Sequence, residues 1–435
     1  MNRADRSRKR TPQPLDRVEV PFVFRRFLNS VTKIFDLPAW FQTIPSTSYD
    51  ADSGLRSRVV AALLLVGALV RVRSFEELER GARRGRFRRF GAGPMSADTI
   101  RRWAKTIPPQ VWHTLCQQVG RKLARNRAWD RIGGLRVVAL DGVELFVQHS
   151  VTCDDCLHRT IDGVTQWFHR IIVASTVGPH RQTVLEWEPI HPADGSDKNE
   201  GEPTAAYRLL DTLYHAYHHQ IEVIVADALY TTRVFLEAVR AHGWDVVVRL
   251  KDNRLTILKD AQGLLKITPA SVVRALNDEV LRIWDFSDLS WGSVDNLRVI
   301  YWERTVTIRR RGRLHREQVA TKTWTGWALA TCGPAVTALT VYQIMHHRWD
   351  LENCVFRQGK TTWHLAHCFG HDPAIIEAMI GAQLVAITLW NWWTTRQTVS
   401  ARRTREPRVA WLDDAREDLR TMRTAWVLRW SLIPI

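Results

Sequence analysis

Residues 221–250, IEVIVADALYTTRVFLEAVRAHGWDVVVRL, decide the fold class. The apolar runs 221–226 and 244–250 have the length and the valine content of buried strands, while 231–242 has the periodicity of a helix. A strand, a helix and a second strand in this order predict a βαβ unit with parallel strands. The segment therefore indicates an α/β protein.

The same alternation continues on both sides of this unit. Upstream, the pattern predicts a buried strand at 135–140, a pair of strands joined by a turn at Gly178 and Pro179, and a helix at 203–218. Downstream, 274–327 predicts a strand-rich insertion, and helical patterning returns at 339–360 and 373–396. These elements together predict a mixed sheet flanked by helices, with a β-rich insertion.

The two ends of the chain are predicted to be helical. Residues 55–72 are expected to form an apolar helix, 80–89 (RGARRGRFRR) are rich in arginine, and 95–98 (MSAD) offer a possible N-cap for a short basic helix. Such a helix fits a DNA groove, and a solvated basic bundle explains it equally well. The amphipathic tail 412–432 is a candidate dimerisation helix. We expect a DNA-binding region (1–130), a catalytic core in two parts (131–265 and 331–398), the β-rich insertion (266–330) and a helical tail (399–435).

The composition narrows the class of function. The 435 residues include 62 Lys and Arg against 45 Asp and Glu, a net charge of +17 that favours a polyanionic partner such as nucleic acid. Six scattered cysteines and a polar N-terminus favour a reduced, cytoplasmic protein. Residues 374–393 are long enough to cross a membrane, but Glu377, Gln383 and Asn391 favour a core helix and no membrane partner. Walker, Rossmann and G-x-S-x-G motifs are missing from the sequence, which gives nucleotide-driven and acyl-transfer chemistry no support.

Three carboxylates are candidate catalytic residues. Asp141 and Asp227 directly follow apolar strands, where ligands of α/β proteins bind, although each alone also fits a turn or a cap. A helix over 341–359 would place Arg348 and Glu352 on its apolar face. Buried charges pair or bind ligands, so this face indicates either a structural Arg–Glu pair or a site for metal and phosphate. Three oxygen ligands suit Mg²⁺, with Mn²⁺ as a substitute.

The three positions also carry a family pattern. Residues 345–352, MHHRWDLE, resemble the Tyr-x2-Arg-x3-Glu-x6-Lys signature of bacterial insertion-sequence transposases of the Asp-Asp-Glu superfamily, and 353–372 look like an extension found in one branch. Asp141 with Gly142, and 225–230 (VADALY) with the following Arg249-Leu250-Lys251, resemble the two aspartate blocks. Met345 stands at the signature tyrosine and Gly359 at the signature lysine, with Lys360 one residue late.

This resemblance implies a ribonuclease-H-like core, with a five-stranded mixed sheet between helices. It implies that Asp141, Asp227 and Glu352 hold metal ions for two-metal phosphoryl transfer, which cuts transposon ends and joins them to target DNA. The implied partners are double-stranded DNA, carrying the terminal inverted repeats or the target, and a second copy of the chain. The candidate DNA contacts are Arg348, Arg249, Lys251, Lys360 and Tyr230. A DNA nuclease without strand transfer and a catalytically inactive, transposase-derived DNA-binding protein are the alternatives.

Two further groups of residues stay open. Cys153 and Cys156, with His158 and His169 nearby, have a C-x2-C spacing that suits zinc, but the sequence has no second such pair. The insertion contains five tryptophans that either stack on an unpaired base or belong to the core: Trp284, Trp291, Trp302, Trp324 and Trp327.

Overall fold

A single mixed sheet of ten strands organises the molecule. The computed structural model describes residues 23–45, 57–151, 153–192, 199–251, 255–311, 317–397 and 408–421. The strands are β1 (Val137–Gln148), β2 (Leu157–Ile161), β3 (Val164–Thr176), β4 (Val184–Pro189), β5 (Val223–Ala226), β6 (Asp245–Leu250), β7 (Val272–Leu276), β8 (Glu279–Trp291), β9 (Val294–Arg311) and β10 (Glu317–Ala330). Their order is β2-β3-β1-β5-β6-β10-β9-β8-β7, and β4 also pairs with β3.

Five of these strands form the ribonuclease-H-like core. Strands β4, β3 and β1 pair antiparallel, while β1, β5 and β6 pair in parallel. The helix Arg233–Ala241 connects β5 to β6, which confirms the predicted βαβ unit. The valines and isoleucines of β5 and β6 are almost completely buried, as expected of strands covered on both faces.

The β-rich insertion continues this sheet. Strand β10 pairs antiparallel with β6, from Trp327 opposite Leu250 to Ala330 opposite Val247, and β9, β8 and β7 follow outward. The predicted strand content of 274–327 is therefore confirmed. The insertion adds strands to the edge of the catalytic sheet because β10 supplies the ladder hydrogen bonds that the edge of β6 would lack.

Helices surround the core part of the sheet. They are α1 (Val23–Phe35), α2 (Leu37–Gln42), α3 (Ser57–Leu69), α4 (Phe75–Arg83), α5 (Ala97–Ala104), α6 (Pro109–Arg125), α7 (Glu202–Tyr217), α8 (Arg233–Ala241), α9 (Thr256–Leu265), α10 (Ala338–His347), α11 (Arg357–Thr362), α12 (Pro373–Gln397) and α13 (Arg408–Thr421). The predicted cap is confirmed, because the Ser96 side chain accepts from Thr99 N at 3.2 Å.

Helix α12 is the central helix of the core. It is long and apolar enough to cross a membrane, but 83% of its most apolar window is buried inside the protein, against α3 and α6 among others. Polar side chains are satisfied within this packing; Gln383 Nε2, for example, donates to the carbonyl oxygens of Trp363 and His364. Helix α12 is therefore packed as a core helix, as predicted from its polar residues.

The C-terminal helix α13 folds back onto its own chain. Asp418 accepts from Phe24 N at 2.9 Å, and Trp411 packs 5.9 Å from Trp393 between ring centroids. Leu412 is also buried. The part of the predicted dimerisation tail up to residue 421 thus has its apolar side chains covered within the chain, and the rest of 412–432 lies outside the described residues.

The glutamate-bearing segment departs from the predicted continuous α-helix. Helix α10 ends at His347, residues Leu351–Phe356 form a π-helix, and α11 begins at Arg357. The apolar residues assigned to the inner face of this segment, such as Val341, Ile344 and Val355, are all buried. The pattern identified the inner face correctly, but a period of 3.6 residues could not reveal a change to the wider π turn.

Candidate active site

Asp141 and Asp227 lie in register on neighbouring parallel strands. Val137 pairs with Val223 and Ala139 with Val225, an offset of 86 residues (223 − 137 = 86) that also separates the two aspartates. Asp227 directly follows β5, as predicted. Asp141 instead lies within β1, opposite Val173 of β3, because pairing with β3 extends β1 well beyond the end of β5. The sheet thus brings the two carboxylates to one edge.

Arg348 connects the third carboxylate to the first. Its Nη1 lies 3.0 Å from Glu352 Oε1 and 3.3 Å from Asp141 Oδ2. The Arg348 side chain is only 3% exposed, and its guanidinium carbon lies 4.7 Å from the centre of the Trp349 ring. The Arg–Glu pair considered from the sequence is therefore present, and it lies against Asp141.

The pKa of Asp141 is raised in this site. Burial raises the pKa of Asp141, and the positive charge of Arg348 lowers it. Glu352, Asp227 and Glu202 raise it again, so that the pKa of Asp141 reaches about 7. A cluster of acidic groups that the neighbouring guanidinium groups neutralise only in part has the electrostatics of a cation site.

Glu202 is a fourth carboxylate that the sequence reading missed. Its side chain is 4% exposed; Tyr230 Oη donates to Glu202 Oε1 at 2.8 Å, and Arg170 pairs with Oε2. Gly142 leaves room for this carboxylate, because a Cβ at that position would collide with it. Glu202 is the first residue of α7 and precedes a proline, a position where glutamate is common for helix-dipole reasons, so the sequence carried no signal of its role.

Tyr230 was predicted to contact DNA, and the structure corrects that assignment. The side chain is completely buried beneath the site, where its hydroxyl holds Glu202. A group without accessible surface cannot reach a DNA backbone. Tyr230 therefore supports the carboxylate cluster from below.

The other candidate DNA contacts differ in how exposed their side chains are. Arg249 is half-buried and lines a cavity of about 330 Å³ next to the glutamate-bearing segment. Lys251 and Lys360 are exposed, whereas Gly359 is buried. The side chains of Arg249, Lys251 and Lys360 are therefore more accessible to solvent than that of Arg348, which is 3% exposed.

The structure divides the tryptophans of the insertion into two groups. Trp284 and Trp327 pack on Tyr301, with ring centroids 5.2 and 4.5 Å apart, and Trp291 packs partly buried against the core. Trp302 and Trp324 instead line the cavity that Arg249 shares. Trp324 is 41% exposed, and the ammonium of Lys322 lies 4.8 Å from its ring centre.

The comparison with protein families matches this region. The family model described as "Transposase DDE domain" matches residues 137–389, more than half of the chain. The match contains β1, β5, the glutamate-bearing segment and most of α12, with all four carboxylates and Arg348. No curated protein matches the chain significantly. On the extent of the family match and the fold of its core, the chain belongs to the transposase DDE domain family.

Proposed function

We propose that the protein cleaves DNA at the ends of a transposon and joins those ends to target DNA, with divalent metal ions held by Asp141, Asp227 and Glu352. The observation that carries this proposal is the parallel pairing of β1 with β5, whose offset of 86 residues also separates Asp141 from Asp227, with Glu352 joined to Asp141 through Arg348. Family membership supports transposase-type function in general.

The residues fit a hard divalent cation. Carboxylate oxygens are the ligands that Mg²⁺ and Mn²⁺ prefer. Burial and the neighbouring carboxylates raise the pKa of Asp141 to about 7, and a bound cation would offset both effects. Bound at these carboxylates, such ions supply charge neutralisation and a more acidic water for phosphoryl transfer. Mg²⁺ is therefore our proposed cofactor, with Mn²⁺ as a substitute.

The chain's own residues would orient the site and the DNA. Tyr230 and Arg170 fix Glu202 beside Gly142, which keeps the backbone next to Asp141 in place. Arg348, which contacts both Asp141 and Glu352, would hold these two carboxylates toward each other and balance part of their charge. The exposed Lys251 and Lys360 would contact the DNA backbone, which positions the scissile bond without reading the sequence.

The test is cleavage of labelled double-stranded DNA that carries the element's own inverted repeats. We expect nicking at the ends and joined products with Mg²⁺ or Mn²⁺, and neither with EDTA. Glu352→Gln should lose activity by at least about 100-fold, a typical cost for removing one electrostatic stabiliser of a transition state. Glu237→Gln, an exposed glutamate on α8, is the matched control and should keep full activity.

Three other outcomes would change the assignment. Metal-dependent nicking without joined products would favour a related DNA nuclease. DNA binding without cleavage under either metal would favour an inactive transposase-derived DNA-binding protein. If Glu352→Gln and wild type cleaved DNA equally well, the carboxylate site would not be the catalytic site. The proposed homodimer is tested on the same DNA, where synapsis of two ends should produce a complex with two copies of the chain.

A further inference from the structure

Cys153, Cys156 and His169 form a second cluster of side chains that can bind a metal, with none of the four carboxylates among its members. The two cysteines flank a tight turn before β2, and His169 lies within β3, thirteen residues beyond Cys156 (169 − 156 = 13). Cys156 is 3% exposed and His169 8% exposed. Of the two histidines noted near these cysteines in the sequence, His158 does not take part; its ring packs 5.2 Å from Trp167 on the neighbouring strand.

The distances among the three donor atoms match a tetrahedral zinc site. The two Sγ atoms lie 3.5 Å apart, and His169 Nε2 lies 3.2 Å from Cys153 Sγ and 3.5 Å from Cys156 Sγ. In tetrahedral sites zinc lies about 2.3 Å from sulfur and about 2.0 Å from nitrogen. Two sulfur ligands are then about 3.8 Å apart, and a sulfur and a nitrogen ligand are about 3.6 Å apart. A disulfide would require the sulfurs to be about 2.05 Å apart.

The loop between α11 and α12 offers two candidates for a fourth donor, although, among the residues that the structure describes, only Cys153, Cys156 and His169 have donor atoms that all lie within 4.8 Å of one another. Cys368 and His371 of this loop lie 3.5 Å apart, Sγ to Nδ1, and the loop approaches β1 at Gln148, which pairs with Trp167 of β3, two residues before His169. His371 approaches Gln148 Nε2 at the end of β1, at 3.4 Å.

We propose that Cys153, Cys156 and His169, together with Cys368 or His371, form a structural zinc site that fastens the loop after the glutamate-bearing segment to β3. Four protein ligands leave no open position, so the site is structural rather than catalytic. The fastened loop also carries Asp372, which pairs with Lys105 after α5 at 2.9 Å. The zinc would therefore link the sheet, the glutamate-bearing segment and the basic helical region.

The first test is the zinc content of the full chain, purified under reducing conditions and desalted, by mass spectrometry. We expect about one zinc per chain in wild type and its loss in Cys156→Ser. Cys116→Ser is the matched control, because Cys116 is equally buried and a serine can keep its hydrogen bond to Val184 O. Glu352→Gln should also keep its zinc, so this result is independent of the proposed catalytic metals.

Replacement of zinc by Co²⁺ identifies the ligands. We expect the absorption of a tetrahedral, thiolate-bound cobalt, with a weaker thiolate band in Cys368→Ser if Cys368 is the fourth ligand, or altered cobalt bands in His371→Ala if His371 is. If neither variant changes the spectrum, the loop is not fastened and that part of the proposal is overturned. Should Cys156→Ser fail to fold, release of zinc from wild type upon thiol modification provides the same test.

Loss of the metal should also loosen the fold. Removing zinc from wild type with a strong chelator should lower Tm by about 5 °C or more, since a ligand that binds only the folded state stabilises it. A wild-type chain without zinc, a native disulfide between Cys153 and Cys156, or equal zinc in Cys156→Ser would each overturn the proposal.

Discussion

Glu202 shows how a single residue can matter at this site without a sequence signal. Asp141, Asp227 and Glu352 each have a sequence signal, because the first two directly follow apolar runs and the third interrupts an apolar helix face. Glu202 has an ordinary position at a helix start, and only the folded chain shows it buried between Tyr230, Arg170 and Gly142. Local patterns predict which face a residue takes, but they do not predict which distant side chain will cover it.

Tyr230→Phe tests the support beneath Glu202. The substitution removes the donor at 2.8 Å from Glu202 Oε1 and leaves a buried carboxylate oxygen without that partner. We expect the free energy of unfolding to fall by about 1–3 kcal/mol, measured from the shift of the urea midpoint. The control Tyr207→Phe, on the half-buried face of α7, should change it by no more than about 0.5 kcal/mol. Equal effects of the two variants would mean that the Tyr230 hydroxyl contributes nothing to Glu202.

At the scale of elements, the π-helix explains the displaced lysine of the signature. A π turn uses an i→i+5 hydrogen bond, so it contains about one residue more than an α turn. Beyond Phe356 each side chain is therefore displaced by one position from a regular helix. Gly359 consequently faces the core, and Lys360 is exposed. We infer that Lys360 takes the direction that residue 359 would have in a regular helix, which a helical projection of the sequence could not show.

Substitutions at these adjacent positions should have opposite consequences. A Cβ at Gly359 would lie 2.9 Å from Leu365 Cδ2, so Gly359→Lys should lower the free energy of unfolding by at least about 1–3 kcal/mol through overpacking. Lys360→Ala should leave stability within about 0.5 kcal/mol. If Lys360 contacts a phosphate, this variant should reduce the salt dependence of DNA binding by about one unit of slope. An unchanged slope would remove Lys360 from the DNA contacts.

The cavity beside the site makes a second prediction at this scale. Trp324 is 41% exposed there, whereas Trp327 packs against Tyr301 within the sheet. Stacking on an unpaired base contributes about 1–3 kcal/mol per base, so Trp324→Ala should weaken binding of DNA ends with an unpaired base by about 10-fold or more at unchanged Tm. Trp327→Ala is the contrasting variant and should lower Tm instead. If Trp324→Ala binds DNA ends with an unpaired base as tightly as wild type does, Trp324 does not stack on that base.

At the scale of the whole molecule, the strands of the sheet could be predicted from the sequence better than the boundaries between regions of the chain. Apolar runs and helical periodicity located the βαβ unit, the antiparallel strands and α12. They could not show that β10 pairs with β6, because strand pairing between residues about 80 apart, as for Leu250 and Trp327 (327 − 250 = 77), depends on the edge that the core leaves open. The proposed boundary near residue 130 remains a prediction, and α3 and α6 on its N-terminal side pack directly against α12.

A buried charge cluster joins these parts of the molecule. His113 on α6 lies 2.5 Å from Glu186 on β4, Nδ1 to Oε1, and its Nε2 lies 3.7 Å from Glu377 on α12. Burial lowers the pKa of His113, but hydrogen bonds and charge interactions with the two glutamates outweigh burial and raise it to about 10. The imidazole therefore stays protonated at neutral pH in the folded chain, and stacks on Trp187 with ring centroids 4.0 Å apart.

This cluster predicts how stability depends on pH. A pKa raised from 6.5 in the unfolded chain to about 10 in the folded one stabilises the fold fully below pH 6.5, and the contribution is lost as the pH rises through 10. His113→Gln should therefore lower the free energy of unfolding by about 3–5 kcal/mol near pH 6, because Glu186 is left as an uncompensated buried charge. The difference from wild type, measured by urea unfolding under reducing conditions, should shrink steadily between pH 7 and 10. A difference that stays constant over that range would show that His113 packs as a neutral ring, and the link between α6, β4 and α12 would then rest on apolar contacts alone.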